Sequence, residues 1–348
     1  MAVLKYTSKG LLLATYENSF VRHALYQIFA ADYPVYPLAS YGSNPGLEGG
    51  LGLKAEELFS NDDVVKLTGS YSTNSYQRYR IKYHAPHLYR PSAGMTLIAR
   101  YSKLPRESLY GLGSTSLEDD EVSVTREESF VRAELFWEIR PALTVGFEAG
   151  YWHYDISDGE DTNLETNVDT IKVSLGLGYE DFRPTRFWGV GGRLRHDWRN
   201  HMGQPTRGGV EEVSFRYSHG IGVSDRLRFT TTRVDLRQYL HLFRKRTLAL
   251  RALAQSVDVI DAASRPRNPF YLLSSLGGQD DLRGYPRDRF IDNDYALVSL
   301  EYRYPLWPAG DGVLFLDEGR VFHSISDDFT LRNWRYSAGV GIRVFSDA

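Results

Sequence analysis

The sequence predicts an all-β protein, built as an antiparallel transmembrane β-barrel, and three observations lead to this fold class. Apolar and polar residues alternate with a period of two through most of the 348 residues, which is the pattern of half-buried strands. Aromatic residues make up 14% of the chain and include 24 tyrosines, as the aromatic girdles of a membrane barrel require. Mean hydropathy is only −0.39, and no apolar run approaches the roughly 20 residues of a membrane-spanning helix.

The alternating segments begin after an N-terminal stretch of different character. Residues 1–46 are predicted to be a separate segment in which residues 12–30 form a short helix or a plug, and residues 47–348 are predicted to be the barrel domain. Turn residues divide this domain into about fourteen strands. The predicted strands are residues 47–59, 63–75, 76–85, 93–103, 121–139, 142–154, 168–180, 186–199, 209–219, 226–240, 246–258, 291–305, 312–323 and 333–345.

Three strands show the two faces most clearly: 131–139, 171–180 and 334–344. Their apolar faces are predicted to point outward to lipid, and they include Leu135, Trp137, Leu175, Leu177, Val340 and Ile342. Their polar faces are predicted to point into the lumen, and they include Arg132, Glu134, Lys172, Arg335 and Arg343. A soluble sandwich or a lipocalin-like barrel would have the same period with its apolar face inside. The mixture of glycine, arginine and glutamate on the polar faces favours the membrane barrel.

The strand count contains one inconsistency. The connections 104–120 and 155–167 follow even-numbered strands, whereas the long loop 259–290 follows the eleventh. In an antiparallel barrel this places them at opposite ends, although long connections are expected to share the extracellular end. One strand is therefore expected to be misassigned between about residues 104 and 260.

Three motifs follow one another across the end of the long loop and the hairpin after it. They are Leu276-Gly277-Gly278, Leu282-Arg283-Gly284-Tyr285 and Phe315-Leu316-Asp317-Glu318-Gly319. Their order resembles the paired signatures of the bacterial outer-membrane assembly-factor superfamily, which includes the surface antigens, the Bam and Tam assembly barrels and the two-partner secretion transporters. The resemblance implies a barrel of sixteen strands, of which this chain would lack the last two, without the periplasmic repeat domains that precede many of these barrels.

The resemblance also implies a latch in the lumen, where the arginine at the loop tip meets the aspartate of the later strand. Its residues would be Arg283, Gly284, Tyr285, Phe315, Asp317 and Gly319. A guanidinium in such a lumen gains from a bidentate carboxylate and from stacking on an aromatic ring. The alternative interpretation places Arg283 in an exposed turn and leaves Asp317 in solvent.

A second, less specific motif resembles the turn of the same family. Asp197-Trp198-Arg199-Asn200 is followed by Pro205-Thr206-Arg207-Gly208. A side-chain pair between Asp197 and Arg199 would end a strand, and Pro205 and Gly208 would set the geometry of the hairpin.

Composition excludes several other classes of function. The 41 Lys and Arg residues against 44 Asp and Glu residues give a net charge of −3, which argues against a nucleic-acid-binding surface. The chain has no cysteine, so disulfide scaffolds and thiolate metal sites are excluded. No catalytic constellation, metal site or cofactor motif is predicted, and the protein is interpreted as a non-enzyme.

The expected function is the insertion or translocation of proteins, or of lipid, at the bacterial outer membrane. The expected partners are outer-membrane lipid, unfolded barrel or secreted protein substrates, and a periplasmic protein, and no nucleic acid is expected. The alternative is a passive pore or a structural barrel that works with a separate periplasmic partner. Two measurements separate these interpretations. Conductance that responds to a change at Arg283 indicates a pore, whereas binding of unfolded barrel substrates indicates an assembly factor.

Overall fold

The chain forms one long antiparallel sheet in which each strand pairs with the next strand of the sheet. The structure is a computed structural model and describes residues 35–42, 44–60, 62–88, 92–260, 268–307 and 310–344. Fourteen strands form the main sheet, and the prediction of an all-β antiparallel fold is confirmed. Its two edges are the first and last strands, and no pairing joins them within the described residues.

The strands of the main sheet are β1 (Val35–Gly42), β2 (Gly46–Glu56), β3 (Val64–Ser72), β4 (Gln77–Ala85), β5 (Ala93–Leu109), β6 (Val122–Arg140), β7 (Leu143–Asp158), β8 (Thr185–Asp197), β9 (Gly208–Gly220), β10 (Arg228–His241), β11 (Thr247–Val259), β14 (Asp294–Trp307), β15 (Gly310–Phe322) and β16 (Arg335–Val344). Two short strands, β12 (Ser274–Leu276) and β13 (Phe290–Asp292), pair with each other inside the connection between β11 and β14. The described residues also contain two helices, α1 (Val168–Ser174) and α2 (Ile325–Asp328), which lie in other connections. No helix within the described ranges has the length and apolarity needed to cross a membrane.

The two faces of the sheet differ as the period-two pattern predicts. On the outer face, Leu135 and Trp137 are 40% and 39% exposed, and Val340 and Ile342 are still more exposed. On the opposite face, Arg132 forms an ion pair with Glu148 of the neighbouring strand. The sheet therefore presents apolar side chains outward and charged side chains toward its concave side.

The predicted strand over residues 168–180 is wrong, because this segment contains α1 and a 3-10 turn at Tyr179–Phe182. Asn167 caps α1 by accepting hydrogen bonds from the backbone N–H groups of Asp169 and Thr170, which satisfies donors that a helix start leaves free. Lys172, Leu175 and Leu177 therefore do not lie on a barrel strand. Ile171 and Leu175 are four residues apart, a spacing that suits one face of a helix as well as one face of a strand.

Strand β1 was not predicted, and it lies within the residues 1–46 that the sequence assigned to a separate segment. It contains Pro37, and proline is tolerated on a sheet edge. Among the strands that the structure describes, β1 pairs with β2 alone. The helix or plug predicted over residues 12–30 lies outside the described residues. Within the described residues, the sheet thus begins at Val35 rather than at residue 47.

These two corrections remove the inconsistency in the strand count. Adding β1 and removing the false strand keeps fourteen strands but changes the parity of every strand between them. The long connections 110–121, 159–184 and 260–293 now follow β5, β7 and β11. All three lie at one end of the sheet, which we call the loop end. The connections that follow β2, β4, β6, β8, β10 and β14 lie at the other end, which we call the turn end.

The buried hydrophobic residues lie where these connections meet the concave face. One cluster joins α1 and the 3-10 turn to β5, β6, β7 and the β11–β14 connection, and it comprises Leu109, Val122, Val124, Ile156, Ile171, Leu177, Phe182, Phe270, Leu273 and Ile291. A second cluster lies beside the predicted latch and comprises Leu253, Leu276, Leu282, Phe290, Tyr295, Leu297 and Val321.

Candidate functional site: the lumen loop

The connection between β11 and β14 contacts the sheet on many sides, and we call its described part, residues 268–293, the lumen loop. Its contacts reach β6 through Arg126, β7 through Tyr154, β11 through Arg251, β14 through Glu301, β15 through Asp317 and β16 through Tyr336. One segment touches strands this far apart in the sheet because the sheet curves around it. The loop therefore occupies the concave side, which is the lumen.

Arg283 at the tip of the lumen loop lies between two carboxylates. Its Nε donates to Oδ2 of Asp317 at 2.6 Å and its Nη2 donates to Oδ1 of Asp317 at 2.6 Å. Its Nη1 donates to Oε1 of Glu301 at 2.6 Å. The guanidinium carbon also lies 3.8 Å from the centroid of the Phe315 ring. The contact is therefore a charge-assisted, bidentate ion pair whose guanidinium stacks on an aromatic ring. The Asp317 side chain is completely buried.

The other predicted latch residues lie around this contact. Gly284 has a φ of +85°, a conformation that favours glycine, and Tyr285 donates a long hydrogen bond of 3.4 Å to the carbonyl of Tyr336. A Cβ at Gly319 would lie 3.1 Å from the terminal methyl groups of both Leu276 and Leu297. The structure thus brings all six predicted latch residues together on the lumen side of β15 and β16.

Two further residues of the site, Glu301 and Leu282, were not among the six predicted latch residues. Glu301 lies opposite Phe315 in the β14–β15 register, and the alternation of Leu297, Ser299, Glu301 and Arg303 on β14 is the signal that could have revealed it. Leu282 is completely buried in the second hydrophobic cluster. Its place beside Arg283 means that apolar packing and an ion pair hold the tip together.

Arg289 forms a second anchor for the lumen loop, closer to the loop end. Its guanidinium lies between the rings of Tyr110 and Phe290, with its carbon 4.3 Å and 4.7 Å from the two centroids. It donates to the hydroxyl and the carbonyl of Ser116, at 2.8 Å and 2.9 Å. Burial raises the pKa of Tyr110 to about 12, and its hydrogen bond to Glu121 acts in the same direction.

The connection 110–121 crosses over the lumen loop, and we call it the strap. The N–H of Gly113 donates to the carbonyl of Ile291 at 2.8 Å. The hydroxyl of Ser114 donates to the carbonyl of Val321 at 3.1 Å, and Nη2 of Arg335 donates to the carbonyl of Ser114 at 2.7 Å. The strap therefore joins β5 to β15 and β16 on the far side of the lumen loop.

The family model of the Omp85 superfamily domain matches residues 59–346. The chain belongs to the Omp85 superfamily. The sequence-based assignment to the assembly-factor superfamily is thereby confirmed. No curated protein sequence matches the chain.

Three solved structures show the same fold as this Omp85 chain at low sequence identity. BamA from Haemophilus ducreyi lacking POTRA domains 1–3 has a TM-score of 0.65 and 16% identity, over 90% of this chain and 65% of that one. CdiB from Acinetobacter baumannii has a TM-score of 0.57 and 16% identity, over 90% and 54%. CdiB from Escherichia coli has a TM-score of 0.57 and 15% identity, over 90% and 57%. The chain thus spans less than two thirds of the length of each of them.

The predicted turn motif of this Omp85 chain connects β8 to β9 at the turn end. Arg199 donates to both carboxylate oxygens of Asp197, from Nε at 2.8 Å and from Nη2 at 2.6 Å. Gly208 has a φ of +93°, and a Cβ there would lie 2.3 Å from the carbonyl oxygen of Trp198. Pro205 is buried. The structure brings Asp197 and Arg199 together and gives Gly208 a backbone conformation that only glycine adopts without strain.

A ladder of alternating charges covers the lumen face of β6, β7, β8 and β9. Glu148 accepts from Arg132 and Arg216, and Arg193 lies between Glu134 and Glu212. Arg195 continues the ladder from Glu212 to Asp197. No group of three or more His, Asp or Glu side chains in the described part of the chain could hold a metal ion.

Proposed function

We propose that this chain is the barrel of an Omp85 protein that inserts or translocates proteins, or lipid, at the bacterial outer membrane, with Arg283 as the latch of its lumen loop. The observation that carries the proposal is the contact of Arg283 with both Asp317 and Glu301. These carboxylates stand on β15 and β14, and the arginine stands on the loop. One side chain therefore fixes the loop against two adjacent strands.

This contact fixes the position of the lumen loop more than it increases the net stability of the fold. Desolvation of Arg283 and Asp317 offsets much of their attraction. The bidentate geometry, however, allows only a narrow range of loop positions. We infer that the latch keeps the tip against β14 and β15 while a substrate acts at the edges of the sheet.

The proposed partners follow from the same surfaces. The apolar outer face would contact outer-membrane lipid. The similarity to BamA and CdiB barrels supports unfolded barrel or secreted proteins as substrates, and a periplasmic protein as a partner. No bond is made or broken in this function, so the proposal is not an enzymatic one.

Reconstitution tests the proposal. The chain is placed in proteoliposomes, and folding of an unfolded outer-membrane barrel added from outside is followed by protease resistance. We expect the chain to accelerate this folding and Arg283→Ala to remove most of the acceleration. Arg132→Ala is the control, because it removes a lumen guanidinium that does not touch the lumen loop. No acceleration by the unmodified chain, or equal acceleration by both variants, contradicts the proposal.

A passive pore is the second candidate, and the charge ladder is the observation that favours it. Charged walls are typical of a water-filled lumen. In planar bilayers a pore conducts without substrate, and its conductance rises when Arg283→Ala releases the tip. Steady conductance without any effect on substrate folding identifies the pore instead of the assembly factor.

A further inference from the structure

The lumen contains a cavity of 520 Å³ between the tip of the lumen loop and the β8–β9 turn. Its size is that of a pocket for a small molecule or a headgroup. Six arginines from the loop, the turn and four strands line it: Arg199, Arg237, Arg251, Arg283, Arg303 and Arg343. Three carboxylates line it as well, those of Asp280, Asp281 and Glu301.

The carboxylates nearest to these arginines are shared and largely buried. Asp235 accepts hydrogen bonds from both Arg237 and Arg251, and its side chain is 9% exposed. Glu301 accepts from both Arg283 and Arg303. Because each carboxylate serves two guanidinium groups, and each guanidinium carries five N–H donors, donors remain unused on the cavity side.

Arg343 and Arg237 provide the clearest unused donors. In the described part of the chain, the guanidinium of Arg343 makes no hydrogen bond, and its closest carboxylate oxygen belongs to Glu301 at 3.8 Å. Arg237 donates to Asp235 through Nε and Nη2, and its Nη1 has no hydrogen-bond partner among the residues that the structure describes. The two side chains are 37% and 38% exposed, whereas Asp317 behind the tip is not exposed at all.

We propose that this cavity binds an oxyanion with several acceptor oxygens, namely a phosphate-bearing group that enters from the turn end. Arg237 and Arg251 are held by the buried carboxylate of Asp235 and are therefore pre-oriented, so they lose little side-chain entropy when they bind phosphate. The entering group replaces water at Arg343 and Arg237 with charge-assisted hydrogen bonds. The phosphate can belong to a lipid headgroup or to a soluble polyphosphate. The inference goes beyond the proposed function and does not depend on it.

Calorimetry on the purified chain in detergent tests the site, with inorganic tripolyphosphate as the probe. We expect saturable binding that weakens as salt rises, because both partners are charged. Arg343→Gln removes one charged donor and is expected to raise the Kd about tenfold. Arg132→Gln is the matched control, because Arg132 lines a separate lumen cavity with Glu148 and Arg216, and its Kd should not change.

A second measurement separates the two sources of phosphate. The chain is reconstituted in phosphatidylcholine vesicles with and without phosphatidic acid, and the tripolyphosphate titration is repeated. Competition by phosphatidic acid identifies a lipid headgroup as the occupant, and unchanged binding identifies a soluble polyphosphate. Arg237→Gln serves as a second variant if Arg343→Gln does not fold. Absence of binding by the folded unmodified chain, or equal Kd values for Arg343→Gln and Arg132→Gln, overturns the inference.

Discussion

At the scale of single residues, the two partners of the latch are not equivalent. Asp317 is completely buried and its carboxylate depends on Arg283 for two side-chain hydrogen bonds. Arg283 also has Glu301, and its side chain is 23% exposed. Loss of the arginine therefore leaves a buried charge without its counter-ion, whereas loss of the aspartate leaves the arginine with a second carboxylate.

This asymmetry gives the first prediction. Arg283→Ala should destabilise the folded chain by about 3–5 kcal/mol, and Asp317→Ala should cost less. The double variant should resemble Asp317→Ala, because the charge that the arginine compensated is then absent. Urea unfolding in micelles, combined with protease access near Tyr285, measures the cycle. Strictly additive effects would reject the latch.

The two glycines that precede the tip, Gly277 and Gly278, differ in the space that they leave for a side chain. Both have positive φ values, +129° at Gly277 and +100° at Gly278. A Cβ at Gly277 would lie 2.1 Å from the carbonyl oxygen of Pro286, whereas at Gly278 the nearest atom is 3.5 Å away. We predict that Gly277→Ala displaces the loop and exposes it to protease, and that Gly278→Ala adds only backbone strain of about 1–2 kcal/mol. Equal protease sensitivity of the two variants would contradict the tight turn at Gly277.

At the scale of elements, α1 shows how one sequence pattern supports two structures. Ile171 is completely buried, and Val173, two residues later, is 85% exposed. In a strand, these two side chains would share one face and one environment. In the helix they are about 200° apart, so only one of them can face the core.

The element-scale prediction follows from this difference. Ile171→Ala should destabilise the chain by about 2–4 kcal/mol because it empties a packed site in the first hydrophobic cluster. Val173→Ala should change stability by about 0.5 kcal/mol or less. Unfolding curves of the two variants, recorded under the same conditions, measure this difference in stability. Similar losses for both would favour the strand that the sequence predicted.

Sequence-based prediction succeeded for features that depend on the residue types themselves. It failed for features that depend on which residues become neighbours in the fold. The pairing of Arg283 with Asp317 was implied by the resemblance of two short motifs to a known family, and the structure contains this contact. Glu301 was missed because its role depends on the β14–β15 register. The helix was missed because Asn167 acts through backbone donors that hydropathy does not reveal. Strand β1 was missed because Pro37 is acceptable only at an edge, and the edge is known only once the sheet is assembled.

At the scale of the whole molecule, the two faces of the sheet contact different environments, lipid on the outside and water in the lumen. Val213 near the middle of β9 is 45% exposed on the outer face. Ser214, next in the chain, lines a lumen cavity with Arg216 and Arg233. A charge added at Val213 would therefore contact lipid, whereas a charge added at Ser214 would contact water and the lumen arginines.

This contrast gives the whole-molecule prediction. Val213→Arg should cost about 2–4 kcal/mol in a bilayer, because it places a guanidinium against hydrocarbon. Ser214→Glu should change stability by about 0.5 kcal/mol or less. Unfolding titrations in phospholipid vesicles compare the two. An equal and small cost for both variants would mean that the outer face does not contact lipid.

The charge ladder of the lumen also restricts the ways in which the sheet can assemble incorrectly. A slip of one residue between neighbouring strands turns every side chain of the slipped strand to the other face. For β8 such a slip would push Arg193 and Arg195 into hydrocarbon and draw Leu194 inward. Each misplaced arginine would cost roughly 2–4 kcal/mol near the bilayer midplane. A slipped register of β8 would therefore be much less stable in the bilayer than the aligned one, so we expect the ladder to disfavour misaligned pairing of this strand.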